Sequence, residues 1–178
     1  MIPPASLPPL QILVVDDQTS TRKVLAAQLQ AAGHQVLEAD SGDAALHQFL
    51  TEKPDLVLLD VEMPGHDGYW VASQLRAAEA GGWTPIIFLS SRDQDQDLWQ
   101  GIESGGDDYL VKPVSTTVLQ AKLRAMQRLR RMQTRLVELS DELRANAGAV
   151  GVRRLLQKEN TVEELASIAQ QVLAEAAV

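Results

Sequence analysis

The chain has no cysteine, which excludes disulfides and thiolate metal centres. That absence fits a reducing compartment, and the expected location is the cytoplasm. No apolar run approaches the ~18–20 residues needed to cross a bilayer, so no membrane association is expected. The start, MIPPASLPPLQ, has neither a basic n-region nor a long apolar stretch and does not read as a signal peptide; its four prolines read as a flexible leader over residues 1–10. Positive charge is in short supply. Sixteen Lys and Arg against 24 Asp and Glu leave a net charge of −8, which argues against non-specific nucleic-acid binding by the whole chain. What remains is ordinary globular composition: 178 residues, 45% hydrophobic and 22% charged, enough for one domain and an appendage.

From Gln11 onward, short apolar runs alternate with helical patterns. The runs are QILVVD ending at Asp16, a segment over Gln35–Ala39, DLVLLD ending at Asp60, PIIFL over Pro85–Leu89, and Tyr109–Val111. Helical spacing follows each: Thr21–Ala32, a stretch capped by Ser41 and running to Glu52, one after Met63-Pro64-Gly65 to about Glu79, Asp93–Glu103, and a long one from about Ser115. Runs without alternation suit strands covered on both faces, as in parallel sheets. Five βα units with right-handed crossovers predict an open, doubly wound α/β sheet, whose ligands lie beyond the carboxyl ends of the strands.

Those ends carry chemistry. The first strand ends in Asp16-Asp17, the third in Asp60, the fourth in Ser90-Ser91 and the fifth in Lys112-Pro113. On one rim they would gather three carboxylates, a hydroxyl and an ammonium. Three carboxylates repel, and a hard cation such as Mg²⁺, which takes oxygen ligands and bridges to phosphate, relieves the repulsion. Asp60, on the central strand, is placed to serve as a nucleophile forming an aspartyl phosphate. Lys112 and the cation would neutralise charge developing on the phosphoryl oxygens, and Ser90 would donate to one of them. Taken singly, each residue has a plainer reading: Asp16-Asp17 as helix cap, Asp60 as turn residue, Lys112 as solvated lysine. His34, His47 and His66 lack metal-ligand spacing and read as surface residues.

In order and spacing, "VVDD", "LLDVEMPGHDGY", "PIIFLSS" and "GGDDYLVKP" resemble the receiver domain of bacterial two-component response regulators, over about Gln11 to Arg131. The resemblance implies a flavodoxin-like five-stranded parallel sheet of order 2-1-3-4-5. It implies Asp60 as phosphoacceptor, Asp16 and Asp17 as the acidic metal pair with Asp17 the direct ligand, and the backbone carbonyl of Glu62 as a third protein contact to Mg²⁺. It also implies Ser90 as the switch hydroxyl, Lys112 as the active-site lysine with a cis peptide before Pro113, and Tyr109 as the aromatic that reports activation. Glu62 and Arg92 fall at the two variable flanking positions, where they would modulate phosphoryl lifetime. Ser91 and Gly106 stand where the family often has alanine. The run Gly105–Tyr109 also resembles the signature turn of cyclases that build cyclic dinucleotides from GTP; the following Leu-Val-Lys-Pro and the four preceding βα units leave such a domain no room.

The expected partition is a receiver over 11–127, a coiled-coil stalk over 128–144 and a short helical tail over 145–178, with ANAGAVG breaking the helix. Leu129, Met132, Leu136, Leu139 and Leu143 recur at intervals of 3, 4, 3 and 4, an a/d seam. It suits a parallel dimer stalk; the alternative is a helix folded back on its own domain. Thr161-Val-Glu-Glu164 fits a capping box in the tail. The functional expectation is a phosphoacceptor regulator, fed by a histidine kinase or histidine phosphotransfer protein, dimeric, and no enzyme beyond assisting its own phosphorylation and dephosphorylation. Two alternatives stay open: the input fragment of a larger regulator with an enzymatic or DNA-binding output, and a dimerisation scaffold with a vestigial site. Nucleic acid is not an expected partner, since no basic recognition helix follows the Arg-rich segment.

Overall fold

The computed structural model describes residues 8–79, 82–91, 101 and 103–149, with 144–149 described as backbone only. In chain order the elements are β1 Gln11–Val15, α1 Thr19–Ala31, β2 Gln35–Ala39, α2 Gly42–Glu52, β3 Leu56–Asp60, α3 Gly68–Ala78, β4 Ile86–Ser90, β5 Asp108–Val111 and α4 Thr116–Ala149. The helix expected over 93–103 lies almost wholly outside the described residues, as do Arg92 and the capping box of the tail. The chain divides into two units, Met1–Arg130 and Arg131–Val178.

The five strands pair in parallel in the order β2-β1-β3-β4-β5. Alternation along them builds two cores. Leu13, Val15, Val57, Leu59, Ile86 and Phe88 face one way, with Phe49 of α2 and Val71 and Leu75 of α3. Ile12, Val14, Leu56, Leu58, Ile87 and Leu89 face the other, with Leu25 and Leu29 of α1 and Leu119, Leu123 and Met126 of α4. β3 is buried at every position, which is why its sequence shows no alternation. Each such Leu, Val or Ile contributes about 1.5–3 kcal/mol relative to exposure.

Local chemistry sets the helix ends. Ser41 Oγ accepts from the Ala44 amide, as expected for a cap, and Lys53 closes α2 in the left-handed region at φ 51°, just before Pro54. Asp67 caps α3 by accepting from Trp70 N at 2.8 Å. α1 starts at Gln18 without a side-chain cap; Asp16 accepts instead from the Gln18 amide at 2.8 Å.

Three expectations need correction. The last helix does not break at 145 but runs to Ala149: alternating alanines are the strongest helix formers and outweigh the single Gly148. The leader is not loose throughout. Leu10 is buried in the second core, and the Pro8 carbonyl accepts from the buried Gln127 side chain of α4 at 3.0 Å. His34 is not a free surface residue: it is half-buried and its Nδ1 accepts from Leu10 N at 3.1 Å. Burial holds its pKa below the ordinary histidine value.

Candidate functional site

The carboxyl ends of β1, β3 and β5 meet because each strand is prolonged by one further ladder bond. Asp16 N donates to Ala39 O (3.2 Å), Val61 N to Leu89 O (2.9 Å) and Lys112 N to Ser90 O (2.7 Å). The fixed backbones aim Asp16, Asp17 and Asp60 at one point, where one oxygen of each lies within 4.8 Å of the others. Lys112 Nζ enters from β5 and stands 2.8 Å from Asp16 Oδ2 and 2.9 Å from Asp60 Oδ2. Both contacts are ion pairs on one shared ammonium. The Lys112–Pro113 peptide is cis.

Burial and charge oppose each other here. Asp60 is 1% exposed; burial raises its pKa, and repulsion from Asp16 adds to that against the pull of Lys112 and the Glu62 amide. For Lys112, burial alone would lower the pKa, but hydrogen bonds and charge from Asp16 and Asp60 outweigh it and the net shift is upward. One ammonium thus serves two buried carboxylates, while Asp17 has no ammonium partner among the described residues. Asp17 Oδ1 is buried and has no hydrogen-bond partner among the described residues. An orphaned carboxylate oxygen beside two others is the donor set of a hard divalent cation, so these residues fit Mg²⁺.

The other expected residues fall around this centre. Ser90 ends β4 one residue beyond Leu89, the register partner of Asp60, and is 1% exposed. Glu62 lies exposed on the β3–α3 loop, its amide donating to Asp60 Oδ1 at 3.3 Å. Gly68 lets that loop close over β3: a Cβ there would stand 2.2 Å from the Asp60 carbonyl oxygen. Tyr109 sits opposite Phe88 on β5, half-buried against the first core. Arg92 lies outside the described residues. Leu129, Met132, Leu136, Leu139 and Leu143 do share the long helix and are 39–66% exposed, so nothing of this chain among the described residues covers them.

Two groups escaped the sequence reading. Arg22 of α1 donates through Nη1 to the Asp16 carbonyl at 2.6 Å while its Nε pairs with Glu38 at 3.2 Å, so a cation braces the acidic turn from behind. Asp107, which leads into β5, is a hub: it accepts from Arg76 Nη2 (2.6 Å), Trp83 Nε1 (3.0 Å) and Ile86 N (2.8 Å). Arg76 also donates to Gly105 O at 2.7 Å and Thr84 O at 2.8 Å. Neither shows as a periodic pattern, because the bonds do not follow helical or strand spacing: Glu38 lies 16 residues from Arg22, and Arg76 lies 31 from Asp107. His66, just before the cap of α3, stacks on Trp70 with ring centroids 3.6 Å apart.

A buried acidic cluster at the strand ends of a 2-1-3-4-5 sheet, crossed by a lysine from the last strand, is the build of a receiver. The model of the response regulator receiver domain matches residues 12–124, and the chain belongs to that family. Among curated proteins it is 41% identical over 117 residues to the transcriptional regulatory protein AfsQ1 of Streptomyces coelicolor, covering 66% of this chain and 51% of that protein. It is 42% identical over 126 residues to the transcriptional activator protein IrlR of Burkholderia pseudomallei, covering 71% and 53%. The chain therefore spans about half the length of these relatives. Among solved structures it resembles the BeF3-activated N-terminal receiver domain of Klebsiella pneumoniae RstA (36% identity, TM-score 0.61, 66% of this chain and 98% of that one). It also resembles the chemotaxis protein CheY4 of Vibrio cholerae (28% identity, TM-score 0.64, 67% and 99%). No helix among the described residues is long and apolar enough to cross a membrane.

Proposed function

We propose that this chain is a phosphoacceptor in a two-component phosphorelay, with Asp60 taking a phosphoryl group from a phosphohistidine of a kinase or phosphotransfer protein. An Asp60 carboxylate oxygen forms the new bond to phosphorus as the nitrogen–phosphorus bond of the donor breaks, and the imidazole leaves with a proton. The observation that carries this is the shared ammonium: Lys112 lies 2.9 Å from Asp60 and stands ready to offset charge arriving on the phosphoryl oxygens. Asp16, Asp17, Asp60 and the Glu62 carbonyl would hold Mg²⁺, which supplies charge neutralisation on those oxygens. Ser90 donates to the phosphoryl group and Tyr109 turns inward, carrying the change to the β5 and α4 face. The chain assists its own phosphorylation and dephosphorylation and has no separate substrate. Glu62 and Arg92, the residues at the two variable positions of the sequence motifs, slow attack by water in this reading, so Glu62→Ala and Arg92→Ala should shorten the phosphorylated lifetime.

The reading is tested by labelling with acetyl phosphate and Mg²⁺, followed by intact mass. One phosphoryl group per chain, absent in Asp60→Asn and on chelation, is the expected result; modification persisting in Asp60→Asn would refute it. The output is read as a homodimer paired along the exposed seam of α4. A second reading, that the chain is the receiver portion of a longer transcriptional regulator, is favoured by the names of its relatives and by the half of their length that it spans.

A further inference from the structure

The exposed seam of α4 carries information about orientation as well as pairing. Leu129, Met132, Leu136, Leu139 and Leu143 lie along one stripe, 39–66% exposed. Charge along the same helix is segregated. Arg124, Arg128, Arg130, Arg131 and Arg135 occupy the first part, and Glu138, Asp141 and Glu142 follow. Arg130 is taken up by Asp55, and Arg135 reaches Glu138 at 3.2 Å and Glu142 at 4.0 Å. Arg124, Arg128 and Arg131 are exposed and have no ion-pair partner among the described residues.

We infer that the occupant of this seam is a second copy of the chain running antiparallel; the inference rests on the homodimer reading and goes beyond it by fixing the direction. Paired helices lie about 8–10 Å apart, close to the ~8 Å screening length at physiological salt, so charge on one helix is felt by the other. A parallel pair, the first expectation from the sequence, sets arginine block against arginine block and acid against acid. Its flanking contacts carry no ion pair: the residues preceding Leu129 and Leu136, Arg128 and Arg135, would meet Gln133 and Ser140 of the second copy.

Reversing one copy keeps the apolar layers and changes the charges. Leu129 then meets Leu139 of the second copy, Met132 meets Leu136, and Leu143 meets Ala125, each twice by the two-fold axis. The flanking positions bring Arg128 of each copy to Glu142 of the other. Arg135 approaches its own counterpart, but Glu138, 3.2 Å away on the same helix, already offsets that charge. Two attractions and one blunted repulsion replace a like-against-like arrangement.

The test uses the whole chain, whose lack of cysteine makes every introduced thiol unique. Leu129→Cys and Leu139→Cys proteins are oxidised separately and as a mixture. The expected result is a disulfide dimer in the mixture joining position 129 to position 139, with little self-linking of either protein. Efficient self-linking of both would show a parallel pair and overturn the inference while leaving dimerisation intact. Should the cysteines weaken packing, sedimentation of the unaltered protein decides. Raising NaCl from 0.05 to 0.3 M should weaken an antiparallel dimer by about three- to tenfold, whereas a parallel pair tightens as its repulsion is screened. A monomer at all concentrations, including one whose seam is covered by residues 150–178 of its own chain, would overturn both the orientation and the homodimer reading. Asp60 labelling is scored separately and stands apart from either outcome.

Discussion

Asp17→Asn is the cleanest perturbation of the acidic centre. Asp16 accepts from Lys112 and from the Gln18 amide, and Asp60 accepts from the Glu62 amide, so changing either breaks bonds. Asp17 Oδ1 has no hydrogen-bond partner to lose. Its oxygen lies within 4.8 Å of one oxygen each of Asp16 and Asp60. At that separation and an effective dielectric constant of ~20, two carboxylates repel by roughly 3 kcal/mol. Asp17 is partly exposed and the Lys112 ammonium offsets part of the neighbouring charge, so the net relief on neutralising Asp17 is expected to be about 1–2 kcal/mol. In urea denaturation with EDTA, Asp17→Asn should therefore be more stable than the unaltered protein by that amount. Adding Mg²⁺ should reverse the order. At hundredfold excess over its dissociation constant a bound ion adds about 2.7 kcal/mol to the unaltered protein, and the variant should gain little. A variant that is less stable without metal, or that keeps the full gain from Mg²⁺, would show that the three carboxylates are not a strained cation site.

Three further outcomes follow from particular contacts. The His34 pKa is lowered by burial, so the unfolded chain takes the proton first; stability is complete above about pH 6.5 and falls as pH drops through that value toward the folded pKa. His34→Asn, which keeps an acceptor near Leu10 N, should flatten the slope of urea stability between pH 7.5 and 5.5, and an unchanged slope would assign it elsewhere. Arg76→Ala removes donors to Gly105, Thr84, Glu79 and Asp107 and should cost about 2–4 kcal/mol by thermal or urea unfolding, with Arg76→Lys recovering only part because one ammonium cannot reach four acceptors. Gly106→Ala would place a Cβ 2.2 Å from Phe88 Cε2 and should cost about 1–3 kcal/mol, relieved in a Phe88→Leu background. Additive effects of the two changes would refute that contact.

The sequence by itself determined the sheet and the identity of its rim. Buried parallel strands have to be apolar on both sides, so β1, β3 and β4 are written as unbroken runs, and their last residues can be counted off directly. That is why Asp16, Asp17, Asp60, Ser90 and Lys112 were all legible before any geometry. What only the tertiary structure decided depends on contacts between distant segments: Arg22 behind Asp16, the Arg76–Asp107–Trp83 hub, the anchoring of Leu10 by His34, and the allocation of one lysine to two acids rather than three. Side chains of those types carry no period and no local signal. A carboxylate in a turn and a carboxylate gripping an arginine from another helix are written with the same letter, and only the path of the chain brings the partner within reach.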